Sequence, residues 1–129
     1  MTGATLPKIL IKVQECVKSS KDSFDEGHFE ACINRAYYAI FHSVQMLLFI
    51  QHVHAKTHVG AHNKFRELYI KSGLLDSLLS DRLQRSFVKR QFGDYDYEEV
   101  TEEQALESLD DAAQFVKSTL QFLKENNHL

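Results

Sequence analysis

The residue types and spacing in this chain that best suit chemistry lie in one short segment, Arg35-Ala-Tyr-Tyr-Ala-Ile-Phe-His42. An α-helix turns by about 100° per residue, so residues seven apart return to within about 20° of each other. Arg35 and His42 therefore share one face of a predicted helix, and Tyr38 and Gln45 follow the same stripe. These four side chains present a guanidinium, a phenol, an imidazole and an amide in line. Together, such groups can hold a phosphate and move a proton.

The chemistry that this stripe favours is cleavage of a phosphodiester in RNA. Arginine keeps its charge and presents a fork of donors that fits phosphate, and histidine exchanges a proton near neutral pH. RNA supplies its own nucleophile, the 2′-hydroxyl, so the reaction needs no metal. We expect His42 to act as general base or acid and Arg35 to stabilise the charge on the phosphorane. Tyr38 would stack on a base or bond a phosphate.

A purely structural interpretation of the stripe stays open. In it, Arg35 pairs with a carboxylate across the fold, with Asp94 or Asp96 as the candidates, and His42 is a half-buried histidine with its bonds satisfied. The segment around Asp94-Tyr-Asp-Tyr97 has two interpretations as well. Its tyrosines cover the end of the core after a turn, or Arg90, Asp94 and Tyr95 fold back around the stripe as further RNA- or nucleotide-binding residues.

Two other polar clusters are less specific. Arg82, Arg85 and Lys89 share a helix face, which suits either a phosphate-binding strip or, as we favour, a solvated face opposite the acidic start of the last helix. His54, His58 and His62 are spaced four apart, but no carboxylate or thiolate lies nearby in sequence to complete a metal site. We expect no metal and no cofactor.

The elements that position these residues are all helical, because period-two alternation typical of strands is absent. Short connections favour antiparallel neighbours, so an all-α, antiparallel five-helix bundle is expected. The predicted helices run from about Leu6 to Lys21, Asp25 to His52, Gly60 to Ser72, Leu75 to Phe92, and from Thr101 towards the C-terminus.

Local signals set the predicted ends of the helices. Ser23-Phe-Asp-Glu26 and Thr101-Glu-Glu-Gln104 both match the capping box, in which two side chains satisfy two backbone donors at a helix start. Gly73 and Gly93 are placed to end the third and fourth helices.

Bulk composition narrows the function classes. The 129 residues suit one domain spanning 1–129, and the net charge of −3 excludes a generally basic nucleic-acid-binding surface. Cys16 and Cys32 lack metal-binding spacing and fall in predicted helices, as expected of buried thiols in a reducing compartment. No leader or membrane-spanning run is seen, so we expect a cytoplasmic protein without membrane contact.

The order of these motifs resembles that of the HEPN superfamily, and more narrowly its compact group of single-domain prokaryotic proteins. The resemblance rests on Arg35 to His42, then Lys56-Thr-His-Val-Gly60, Lys71-Ser-Gly-Leu-Leu75 and Arg90-Gln-Phe-Gly-Asp94 followed by Tyr95. It covers nearly the whole chain.

The resemblance implies an antiparallel helical bundle, a homodimer and a small nucleotidyltransferase as partner. It also implies a metal-independent ribonuclease site in which an arginine, four to six residues and a histidine meet the same motif of a second copy. Arg35 and His42 match with six residues between them. Active family members usually carry a polar residue directly after the arginine, whereas this chain has Ala36 there and Asn34 on the other side.

Three functions follow from these patterns. The first is a toxin-like endoribonuclease of a toxin–antitoxin or defence system, with Arg35 and His42 from two chains in one cleft. The second is a non-catalytic module in which the stripe binds a nucleotide or RNA, or docks the nucleotidyltransferase. The third is a helical dimer that buries Tyr38 and Gln45 at a two-fold interface.

Overall fold

A computed structural model describes residues 3–95 and 99–129, with the side chains of residues 92–95 excepted. Helices account for the regular structure of this described part, and it contains no strand. The all-α fold with five helices is therefore confirmed. The helices are α1 (Leu6–Asp25), α2 (Phe29–Phe49), α3 (His58–Phe65), which continues as a π-helical turn (Arg66–Ile70), α4 (Leu78–Tyr95) and α5 (Glu102–Glu125).

The start of α5 follows the local sequence signal. Thr101 Oγ1 accepts a hydrogen bond from the backbone N–H of Gln104 at 3.1 Å, and the Gln104 side chain accepts one from the Thr101 N–H at 2.9 Å. The predicted capping box at this helix is confirmed. The end of the third helical segment is confirmed too, since Gly73 adopts a left-handed φ of +78° just after Ile70.

The second capping box, predicted at Ser23, is wrong. Helix α1 continues through Ser23 to Asp25, the chain turns at Gly27 with φ +78°, and α2 begins at Phe29. The side chain of His28, which precedes α2, makes no capping hydrogen bond. The extra turn of α1 brings the Phe24 ring to 5.6 Å from that of Phe29, so apolar packing outweighs the local polar signal.

The predicted bounds of the fourth helix are also wrong. Helix α4 begins at Leu78, where the Asp76 carboxylate accepts a hydrogen bond from the Leu78 N–H at 2.9 Å. The helix then passes through Gly93 to Tyr95. A helical glycine costs only about 1 kcal/mol relative to alanine, so a glycine alone does not end a helix.

Helix α2 lies at the centre of the bundle and contacts α1, α3, α4 and α5. Its predicted apolar side is confirmed as core, with Phe29 half-buried and the others buried: Ile33, Ala36, Tyr37, Ile40, Val44, Leu47 and Leu48. The four residues of the polar stripe are all half-buried, which leaves them accessible along one side: Arg35, Tyr38, His42 and Gln45.

Polar contacts align the neighbouring helices. Ser20 of α1 donates a hydrogen bond from its buried hydroxyl to the Cys32 carbonyl of α2 at 2.8 Å, so these helices form a hairpin. Cys16 and Cys32 are free, buried thiols inside helices, as predicted. No described helix is both long and apolar enough to cross a lipid bilayer.

The basic residues of α4 pair with acidic residues of α5. Asp111 is only 1% exposed, and its carboxylate accepts hydrogen bonds from Arg82 at 2.9 Å and from Arg85 at 2.7 and 3.0 Å. Lys89 forms an ion pair with Glu107. The cluster therefore opposes α5, as in the favoured interpretation, but its partners are Glu107, Asp110 and Asp111 instead of the acidic start of the helix. The face is only partly solvated, since the Lys89 side chain is 15% exposed.

We predict that Asp111→Ala lowers the free energy of unfolding by about 3 kcal/mol, because it removes the buried acceptor of two guanidinium groups. The matched control is Asp110→Ala on the same helix. Asp110 is 63% exposed and contacts Arg82 at 3.3 Å, so its loss should cost less than about 1 kcal/mol. Urea unfolding followed by circular dichroism measures both. Equal losses in the two variants would contradict this assignment.

Candidate functional site

The polar stripe of α2 faces a groove of about 410 Å³ between α1 and α2. The hairpin of these two helices positions both walls, since helical spacing brings residues of α1 three or four apart onto one side. The walls are formed by Lys12, Glu15, Cys16 and Ser19 of α1 and by Arg35, Tyr38 and His42 of α2.

Arg35 is held by its neighbour in sequence. Its Nε and Nη2 atoms donate to the side-chain oxygen of Asn34 at 3.0 and 2.7 Å, and its Cζ atom lies 4.9 Å from the Tyr38 ring centroid. No carboxylate of the described residues forms an ion pair with Arg35. The predicted alternative partners, Asp94 and Asp96, lie outside the described side chains. Nη1 makes no hydrogen bond within the described part, which suits an anion.

His42 has the properties of a general base. It lines the groove with its ring centroid 6.0 Å from that of Tyr38, and no hydrogen bond to a described residue occupies its ring nitrogens. Burial lowers the pKa of His42 below its ordinary value, and the positive charges of Lys12 and Arg35 lower it further. The imidazole is therefore neutral at pH 7 and can accept a proton.

Arg90 of α4 also reaches this site, as one interpretation of the sequence predicted. Its Cζ atom lies 5.2 Å from the ring centroid of Tyr38 and 5.3 Å from that of Tyr37. Asp94 and Tyr95 continue the same helix, but their side chains lie outside the described residues. Gln45 is not in this groove and instead lines a larger cavity further along α2, which His42 also borders.

Sequence analysis missed a network beneath the stripe. The Tyr37 hydroxyl lies 2.6 Å from His58 Nδ1 and 2.9 Å from His62 Nε2, so one phenol joins α2 to two histidines of α3. The signal that could have indicated this network is a pair of histidines four apart on one helix, opposite a tyrosine on the core face of another helix. Within the described residues, no group of three or more His, Cys, Asp or Glu side chains could hold a metal ion.

The groups of this network are uncharged at pH 7. Burial lowers the pKa of His62 to about 4, with smaller contributions from the positive charges of Arg66 and His58. Burial also raises the pKa of the Tyr37 phenol. The Tyr37 ring lies edge-on to Tyr38 with centroids 5.3 Å apart, so the network fixes the base of the polar stripe.

The comparison with protein families agrees with this architecture. The model of the HEPN domain matches residues 9–123. The chain therefore belongs to the HEPN family.

Relatives with similar sequences cover most of the chain. A UPF0332 protein of Archaeoglobus fulgidus is 34% identical over 116 residues, which span 89% of this chain and 92% of the relative. A Methanocaldococcus jannaschii protein that carries the name "Putative toxin MJ0605" is 30% identical over 87% of this chain and 84% of its own length. A second protein of that organism, "Putative toxin MJ0142", is 27% identical over 96% of this chain and 85% of its own length.

We predict that His62 makes the fold sensitive to acid. An unfolded histidine binds a proton near pH 6.5 and the folded His62 only near pH 4, so the unfolded state holds more protons between these values. The free energy of unfolding should therefore fall as pH decreases through this range, by up to about 3 kcal/mol from this group. His62 faces Tyr37 of α2, Phe87 of α4 and His58 of its own helix.

The variant His62→Gln retains an amide that can bond the Tyr37 hydroxyl but does not titrate. Its stability, measured by urea unfolding at several pH values, should depend less steeply on pH between 4 and 6.5 than that of the wild type. The exposed C-terminal variant His128→Ala is the control and should keep the wild-type slope. Identical slopes for all three proteins would show that His62 is not the titrating group.

Proposed function

We propose that this HEPN protein is a metal-independent endoribonuclease of the toxin type, which acts as a homodimer. The observation that carries the proposal is the pair formed by Arg35 and His42 in one open groove. Arg35 presents a guanidinium nitrogen that bonds no described residue, and His42 presents a neutral imidazole whose pKa is lowered by burial. The relatives named as toxins support the same class of activity for this chain.

The reaction follows from the groups present. A neutral His42 takes the proton from a ribose 2′-hydroxyl, and the oxygen attacks the adjacent phosphorus. Arg35 donates hydrogen bonds to the phosphoryl oxygens, where negative charge grows in the phosphorane. The bond from phosphorus to the 5′ oxygen then breaks, which leaves a 2′,3′-cyclic phosphate on one product and a 5′-hydroxyl on the other.

The leaving 5′ oxygen needs a proton, and this requirement favours a dimer. A histidine that has just served as base is badly placed to protonate a group on the opposite side of the phosphorus. A second copy facing the first would supply the partner's His42, and the negative charge of the bound phosphodiester would favour the protonated form of that imidazole. A composite site of this kind has two-fold symmetry, as expected of an isologous homodimer. A small nucleotidyltransferase, the partner that the family resemblance implies, would then act as its antitoxin.

Asn34 takes the place of the polar residue that active HEPN ribonucleases usually carry after the arginine. Ala36 is 0% exposed and packs in the core, so a polar side chain there would not reach the groove. Asn34 is half-buried next to Arg35 and accepts two hydrogen bonds from the Arg35 guanidinium. We assign it as a positioning residue for Arg35.

A second candidate function uses the same groove for binding but involves no catalysis. The buried Ala36 favours it, because the chain then lacks one polar group of the active family pattern. In this alternative, Arg35 and its neighbours bind a nucleotide or RNA, or dock a nucleotidyltransferase. This alternative would be supported if Arg35→Ala loses binding while the wild type itself shows no cleavage.

We predict that the purified wild type cleaves labelled single-stranded RNA in EDTA to products with 2′,3′-cyclic phosphate ends, whereas His42→Ala is at least about 100-fold slower. His128→Ala is the matched control, because His128 is exposed at the far C-terminus and should leave the rate unchanged. Gel analysis of the products measures all three. RNA that stays intact at high concentrations of the wild-type protein would contradict the ribonuclease proposal and favour the binding module.

We predict that Asn34→Ala lowers kcat by about 10-fold with little change in KM, because Arg35 loses the acceptor that fixes its orientation at the developing charge. Asn34→Asp keeps an oxygen in the same place and should recover most of the rate. Single-turnover cleavage with excess protein gives the chemical step directly. An unchanged kcat in Asn34→Ala, or no recovery in Asn34→Asp, would exclude a positioning role.

A further inference from the structure

The groove at Arg35 does not end at His42 but continues into a larger cavity of about 790 Å³. Lys12, Glu15 and His42 line both parts, so the two form one continuous channel along α1 and α2. The larger part is within the size range of small-ligand sites. We call it the distal groove, and its further lining comes from Ala4, Lys8, Ile9, Gln45, Phe49 and the loop residues His52, Val53, His54 and Ala55.

The polar side chains of the distal groove are mostly cationic or able to become so. Lys8 and Lys12 are exposed and one turn apart on α1, which places both ammonium groups on the same wall. Within the described residues, Lys8 donates its one side-chain hydrogen bond to the backbone oxygen of Gly3 at 3.2 Å, and neither Lys8 nor Lys12 forms an ion pair. Glu15 is the one carboxylate of the lining. The charge of this surface therefore suits an anion.

The floor of the distal groove is apolar. Ile9, Phe49 and Val53 are half-buried and pack against the main core, so each presents part of its surface to the groove. The amide of Gln45 stands beside this floor with a donor and an acceptor. An aromatic surface next to an amide suits a nucleobase, which can stack on the ring and bond the amide through its edge.

The backbone at the rim is strained in a way that holds the loop over the groove. His52 has a φ of +57°, in the left-handed region that glycine normally occupies at the end of a helix. The N–H groups of His52 and Val53 donate to the carbonyls of Phe49 and Leu48, both at 3.0 Å, which closes α2. Conformations of this kind cost about 1 kcal/mol or more for a residue other than glycine. A histidine at this position is understandable where its ring contributes to a site.

We infer that the distal groove is a second nucleotide subsite, which binds the RNA nucleotide next to the scissile phosphodiester. Lys8 and Lys12 contact its phosphate, Phe49 supports its base, and Gln45 bonds the base edge. The inference rests on the proposed function, since it assigns the part of the RNA that lies beyond the cleaved bond.

The test is the binding of short single-stranded RNAs of two to six nucleotides, made uncleavable by 2′-fluoro substitution and followed by fluorescence anisotropy in EDTA. The double variant Lys8→Ala/Lys12→Ala removes two cations from the groove. Lys18→Ala/Lys21→Ala removes two cations from the same helix outside it, so the two variants have equal net charge.

For the wild type, affinity should rise by at least about 10-fold from the shortest to the longest RNA, and Lys8→Ala/Lys12→Ala should abolish that gain. The slope of log affinity against log salt should become shallower by about 0.7, as expected when one phosphate of a single strand is no longer neutralised. Lys18→Ala/Lys21→Ala should keep the gain with length. Phe49→Leu, which keeps an apolar side chain, should reduce affinity through lost stacking.

Two outcomes would overturn the inference and separate it from the proposed function. Equal losses in the two double variants, or affinity independent of RNA length while His42-dependent cleavage persists, would remove the distal subsite and leave the ribonuclease intact. RNA that is neither bound nor cleaved by the wild type would remove both.

Discussion

Helix α2 is packed against all four other helices, so nearly every side chain on it has to fit a closed interior. A buried polar group is costly unless it finds a partner, and Tyr37 shows how strictly this applies, since its hydroxyl meets two histidines of α3. The charged and titratable side chains that a ligand could reach lie in the sector of α2 that the other helices leave partly uncovered. That sector holds Arg35, Tyr38 and His42, and its half-buried position is what lowers the pKa of His42 without closing it off from a ligand.

The two capping boxes show how far local sequence determines helix bounds. Thr101 and Ser23 begin the same motif, yet only Thr101 starts a helix. At Thr101 both side-chain hydrogen bonds of the box are formed. At Ser23 the chain gains more by extending α1 and burying part of Phe24 against Phe29, and the turn then falls at Gly27. Helical periodicity is less affected by competing packing, because it is summed over many residues. It predicted the core side of α2 correctly.

The same distinction applies to the site. Arg35, Tyr38 and His42 were predictable because they lie on one helix, where spacing alone fixes their relation. Contacts between helices that are distant in sequence were not predictable with the same certainty. The Tyr37 hydroxyl meets His58 and His62 only because the loop after α2 returns α3 to that level of the bundle. The distal groove likewise needs two helices and a loop together, so no single segment of sequence indicates it.

The ion pairs between α4 and α5 also shape the electric field outside the molecule. Arg82, Arg85 and Lys89 are matched by carboxylates, so this side of the bundle projects little net potential. Lys8, Lys12 and Arg35 form no ion pair within the described residues, so their positive charges are not matched locally although the whole chain carries a net charge of −3. Under the proposed function, an incoming RNA would therefore be oriented before it touches this surface. Its encounter rate should respond to ionic strength over a distance of about 10 Å, the range within which such fields act at 0.1 M salt.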